Sequence, residues 1–127
     1  MAHSDFARFP IRFDAAYRIL SSALLLPPSD SFVEVEDDEV RVRMAWAFRA
    51  RFRRSAVMSA TEHQQKPLSR GVHGVAGRWL VNGSGGGIVN ITLGPSQRGF
   101  VMGFPVRLRN LLVSVEDPIG LMATLTR

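Results

Sequence analysis

The chain has 127 residues, 46% hydrophobic and 21% charged, which fits one soluble domain able to bury roughly two-thirds of its unfolded surface. It has no cysteine, which excludes disulfides and thiolate metal sites and points to the cytoplasm. The net charge of +5 comes from fifteen arginines and one lysine, Lys66, and fits either an anionic partner or the codon bias of a GC-rich genome.

Residues 1–8 read as a loose leader, and 9–13 as an extended segment lying against the body. Asp14 suits the cap of a short N-terminal helix at 14–25, in which Ala16, Ile19, Leu20, Ala23 and Leu24 share one face. Pro27-Pro28 ends it, because proline lacks the amide and restricts the residue before it. The apolar run before the prolines contains Ser21 and Ser22 and falls well short of the ~20 residues of a spanning helix. No small-residue cleavage site follows it, so neither a transmembrane segment nor a secretory signal is expected.

The first strands are the clearest. Val33 and Val35 alternate with Glu34 and Glu36, and after Asp37-Asp38 the residues Val40, Val42 and Met44 alternate with Arg41 and Arg43. A two-residue turn sets Val35 against Val40, Val33 against Val42 and Glu34 against Arg41, with apolar groups on one face and opposite charges on the other. The alternation continues with Trp46, Phe48, Ala50 and Phe52 on the apolar parity and Arg49, Arg51 and Arg53 on the polar one. Unbroken, residues 40–52 would span ~43 Å, so the chain must bend or reverse near Ala45-Trp46-Ala47.

Residues 54–60 suit a further short strand carrying Ala56 and Met58. The polar stretch 61–74 reads as the longest exposed loop. Residues 78–82 and 88–93 read as strands joined through Gly83-Ser84-Gly85-Gly86-Gly87. Keeping Trp79 and Val81 on the face of Val89 and Ile91 predicts a hairpin with a three-residue loop at 84–86. Over 100–115 the inward parity is even at Val106 and Leu108 but odd at Leu111, Val113 and Val115, which predicts a bulge near Arg109-Asn110. Asp117 caps a C-terminal helix with Pro118 at its first position and Ile119, Met122, Ala123 and Leu125 as the buried stripe. The expectation is a single mostly-β domain over 1–127. It comprises a leader and helix at 1–30, then a small antiparallel barrel or half-barrel of about seven strands plugged by the C-terminal helix at 31–127.

The opening hairpin at 32–44, the bent arginine-rich strand up to Arg54, and the join Leu111-Leu112-Val113-Ser114-Val115-Glu116-Asp117-Pro118 carry a resemblance. Residues 31–127 resemble the pleckstrin-homology-like barrels, including bacterial members; the helix at 14–25 lies outside that pattern. The resemblance implies a non-catalytic module for anionic lipid heads, peptides or other subunits. Eukaryotic lipid binders use a basic loop between the first two strands, whereas this chain has Asp37-Asp38 there.

Arg41, Arg43, Arg49, Arg51 and Arg53 share one parity and form the candidate binding face. If the chain reverses at Trp46, some of them face each other, and either Glu34, Glu36 and Glu39 or an external anion must compensate. The glycine loop at 83–87 offers amides to a phosphate but lacks the dinucleotide fingerprint, the P-loop lysine and the nucleophile elbow, so it reads as a flexible hairpin tip. His63 and His73 match no metal spacing; no cofactor motif and no catalytic set stand out. Trp46, Phe48, Phe52 and Trp79 are expected in the core. With its aromatics on the parity opposite the arginines, the chain is not expected to stack single-stranded nucleic acid. The function expected is a binding or assembly module that engages an acidic protein partner, an anionic ligand or a second copy, with peripheral membrane contact open to it. The alternative is a small-ligand carrier or enzyme with an apolar site in the barrel mouth and His73 or His63 as base.

Overall fold

The computed structural model describes residues 6–15, 17, 28–63 and 71–126. In chain order the strands are β1 (Ala7–Pro10), β2 (Ser31–Val35), β3 (Glu39–Met44), β4 (Phe48–Arg53), β5 (Val57–Glu62), β6 (Gly71–Val75), β7 (Arg78–Asn82), β8 (Ile88–Val101) and β9 (Phe104–Ser114). One helix, α1 (Pro118–Leu125), follows them. The strands make one nine-stranded sheet in the order β1-β2-β3-β4-β8-β9-β7-β6, with β5 also pairing on β8. The sheet curls into a half-barrel, the mostly-β architecture with a terminal helix that the alternation predicts.

The meander β2–β3–β4 follows the expected register. Val35 faces Val40, Val33 faces Val42 and Glu34 faces Arg41. The chain reverses at residues 45–47, with Ala45 at φ 45° and the Ala47 amide donating to the Met44 carbonyl at 3.0 Å. Trp46 therefore rides the tip of a turn and is 53% exposed, a correction to its expected place in the core, whereas Phe48 and Phe52 are buried there. The turn lifts Trp46 out of the strand, so strand parity no longer decides where its side chain goes.

The N-terminal segment is a working part of the sheet. β1 pairs antiparallel with β2 from Ala7 onward, inside the stretch expected to be loose leader. Just beyond it, Ile11 bridges Val115 and Phe13 bridges Gly83. The Arg12 amide donates to the Ser114 carbonyl at 2.9 Å and the Asp14 amide to the Gly83 carbonyl at 2.7 Å. This segment thus ties the β2 edge to the far ends of β9 and β7. The face expected for the helix at 14–25 falls on residues outside those described.

The second half departs from the expected antiparallel hairpin at 78–93. β7 pairs with β6 on one side and, in parallel, with β9 on the other. β8 pairs with β9 and β5. The strand β9 lies between β7 and β8, so the glycine loop is a crossover rather than a hairpin tip. It passes over the end of β9, where the Val115 amide donates to the Gly87 carbonyl at 2.9 Å and the Gly83 amide to Ser114 Oγ at 3.0 Å. Gly87 has φ +68°, and a Cβ there would lie 2.5 Å from the Val115 carbonyl oxygen, so glycine is required twice over. Parity could not reveal this, because it reports which face a residue occupies and not which strand lies beside it. β6 lies within the stretch expected to be loop.

The irregularity expected at Arg109-Asn110 is present. Both amides donate to the single Gly77 carbonyl, at 2.7 and 3.1 Å, and opposite them the β8 register shifts between Thr92 and Gln97. The core holds Phe48, Ile91, Leu108, Leu111 and Val113, with Leu121 and Leu125 of α1 joining it. Asp117 caps the helix by accepting from the Gly120 amide at 3.0 Å. The expected helical stripe holds only in part: Leu125 is buried and Met122 half-buried, but Ala123 is exposed and Ile119 72% exposed, while Leu121 and Thr124 are buried in their place. A helix of eight residues that is apolar on most sides carries too short a pattern to set its own phase. Arg54 holds its far end, donating to the Thr124 carbonyl and, at 3.2 Å, to the Glu36 carbonyl. Among the described residues no helix is long and apolar enough to cross a membrane.

Candidate functional site

Alternation turns Arg41 and Arg43 outward from β3, and Arg49, Arg51 and Arg53 outward from β4. The register then places Arg41 directly opposite Arg51, Arg43 opposite Arg49, and Glu39 opposite Arg53. Neighbouring strands extend these pairs into two rows across the wall. One row runs Arg8, Glu34, Arg41, Arg51. The other runs Pro10, Phe32, Arg43, Arg49, Phe100, Pro105.

Like charges directly opposite destabilise a sheet, and carboxylates answer part of the load. Glu39 Oε1 lies between Arg41 Nε at 3.3 Å and Arg51 Nε at 2.6 Å. Glu36 takes Arg41 at 3.2 Å, Asp30 takes Arg43 at 3.4 Å, and Glu34 takes Arg8 at 3.3 Å. Among the described residues, Arg49 and Arg98 make no ion pair. Arg49 instead lays its guanidinium over the Phe100 ring at 5.1 Å, and Arg8 lies over Phe32 at 4.1 Å.

Together Phe32, Arg41, Arg43, Arg49, Arg51, Arg98 and Phe100 line a shallow hollow of about 380 Å3. Four of the five expected arginines therefore share one site. Arg53 does not; it sits at the other end of β4 beside Asp37, Asp38 and Arg54, near the end of α1. Two rings, Phe32 and Phe100, also belong to the arginine face, so the premise that the aromatics all lie on the opposite parity does not hold. Phe32 was within reach of the hairpin register, which pairs it with Arg43. Arg98 and Phe100 were not, because they enter through a β4–β8 pairing in a strand that reads in the one-letter code as broken at Gly94-Pro95.

The other candidates have structural employment. The Gly83 amide is taken by Ser114 Oγ and the Gly86 amide by Ser84 Oγ at 3.1 Å, which leaves the loop spent on its crossover rather than on a phosphate. The His63 amide donates to the Ile88 carbonyl at 2.8 Å, and His73 sits in β6. Among the described residues no cluster of histidine and carboxylate side chains could hold a metal ion.

No family model, curated protein or solved structure matches this chain.

Proposed function

We propose that the protein is a non-enzymatic binding or assembly module, cytoplasmic, whose arginine-rich outer face engages an acidic partner or an anionic ligand. The observation that carries this reading is the hollow itself: Arg49 and Arg98 line it without a carboxylate of their own, between two half-buried rings. A guanidinium fork presents parallel N–H donors that match carboxylate and phosphate oxygens, and the apolar surface beside it strengthens the contact by displacing water. Kinship with the pleckstrin-homology-like barrels is part of the proposal, supported by the meander and the terminal helix. The acidic turn at Asp37-Asp38 moves the binding surface from the first turn to the strand wall.

A carrier or enzyme working in the barrel mouth has less behind it, since Met44, Phe48, Ile91, Leu108 and Leu121 fill the interior. A small molecule co-purifying in native mass spectra would favour that second reading.

Charge reversal tests the first. Arg49→Glu with Arg51→Glu should abolish retention on heparin resin and binding of a poly-glutamate peptide, while Arg78→Glu with Arg109→Glu, on β7 and β9, serves as a charge-matched control. The proposal fails if the double variant elutes, binds and associates as the parent protein does.

A further inference from the structure

Residues 99–106 read Gly-Phe-Val-Met-Gly-Phe-Pro-Val, without one charged side chain. They form the tip of the β8–β9 hairpin, with Met102 at φ 49° and Gly103 at φ 85°. Such mirror-type two-residue turns normally carry Asn-Gly or Asp-Gly, because both central residues need a positive φ, which Asn, Asp and Gly tolerate best. Here Met102 is 59% exposed and Phe104 72% exposed. The β3–β4 turn lies alongside, joined by a hydrogen bond from the Met102 amide to the Ala47 carbonyl at 2.9 Å, and it carries the exposed Trp46. Single exposed apolar residues are ordinary, but three large ones on two bonded tips make a patch.

We infer that these paired tips dip into the surface of an anionic lipid bilayer, with Trp46, Met102 and Phe104 in the interfacial layer and Arg43 and Arg49 against the headgroups. The inference rests on the arginine-face reading for its charged half. Tryptophan and phenylalanine suit that layer, where a ring can be apolar on one side and wet on the other. The first outward pair behind the tip is Arg43 and Arg49, three residues from Trp46 and so ~10 Å back along the strands. A headgroup layer is roughly 5–8 Å deep on each side of the hydrocarbon, so guanidinium groups at that height meet phosphates. Flexible arginine stems close the remaining distance. A second copy seated tip to tip would bring two sets of arginines together, whereas an anionic surface neutralises them.

Vesicle partitioning tests this with the intact chain. The protein should bind mixed phosphatidylcholine–phosphatidylglycerol vesicles and leave pure phosphatidylcholine in solution. Its tryptophan emission should shift to the blue on binding, and Trp46→Phe should keep the binding while losing the shift. Trp46→Ser with Phe104→Ser should weaken partitioning at least ~10-fold, since each ring loses most of its transfer gain. Arg49→Gln should weaken it about fivefold, the share of one basic residue at an anionic surface. All these side chains are exposed, so unchanged circular dichroism is expected and separates lost binding from lost fold. Heparin binding without vesicle binding would overturn the inference and leave the arginine-face proposal standing. Wild-type partitioning by the serine double variant would also overturn it. So would a change in oligomeric state of that variant with vesicle binding intact, which would give the patch to a second copy.

Discussion

The two halves of the sheet are built on opposite plans. In the meander β2–β3–β4 every strand pairs with its neighbour in the chain, and the two turns, at Asp37-Asp38 and at residues 45–47, are short. In the half made by β7, β8 and β9, the last strand of the chain is wedged between two that precede it, and the glycine loop must cross its end. Local pairing needs little loop closure, so the meander can find its register early. The crossover half waits for residues from far along the chain. The difference also divides the labour: the meander presents the arginines, and the crossover half supplies the strand that completes their hollow.

The largest effect should come from the wedge. Leu111 is fully buried in β9, and Leu111→Ala should lower unfolding free energy by about 3–5 kcal/mol in urea titration, because the cavity opens between strands that cannot close without it. Next comes a paired test at two glycines with similar backbones. Gly87→Ala should cost roughly 2–4 kcal/mol, combining a left-handed alanine with a clash against the crossing backbone. Gly103→Ala has φ +85° but open space around its Cβ, so it should cost only about 1 kcal/mol. Equal losses at the two sites would mean that the crossover imposes no packing demand of its own.

The smallest effect belongs to the meander's outer face. Glu39→Gln removes the carboxylate shared by Arg41 and Arg51, whose side chains are 48% and 71% exposed, so the stability loss should stay under about 1 kcal/mol and shrink with salt. The same change frees Arg51 beside the hollow and leaves Arg41 to Glu36 alone, and heparin elution should move to higher salt. Stability and anion binding would then move in opposite directions, and Glu116→Gln, which raises the net charge equally away from the hollow, should shift elution less.

Much of the meander was legible because its signals are local. Residues summing to one register number through a short turn put Arg41 against Glu34 with nothing else required, and the irregularity at Arg109-Asn110 showed as a parity switch. The candidate site was half legible for the same reason. Arg41, Arg43, Arg49 and Arg51 follow from alternation, but Arg98 and Phe100 depend on β8 running unbroken past Gly94-Pro95 to reach β4. Trp46 and Ile119 read as core by spacing, yet a turn tip and a helix's rotation expose them.

The backbone's own pleat and the chemistry of turns and caps thus settled which face each side chain occupies and where the first hairpins reverse. Packing over long sequence separations settled the rest: that β9 parts β7 from β8, that the N-terminal segment closes the curl, and that two rings join the arginines. Side-chain parity is set within a single strand, whereas strand neighbours are chosen by which apolar faces the whole chain can bury together.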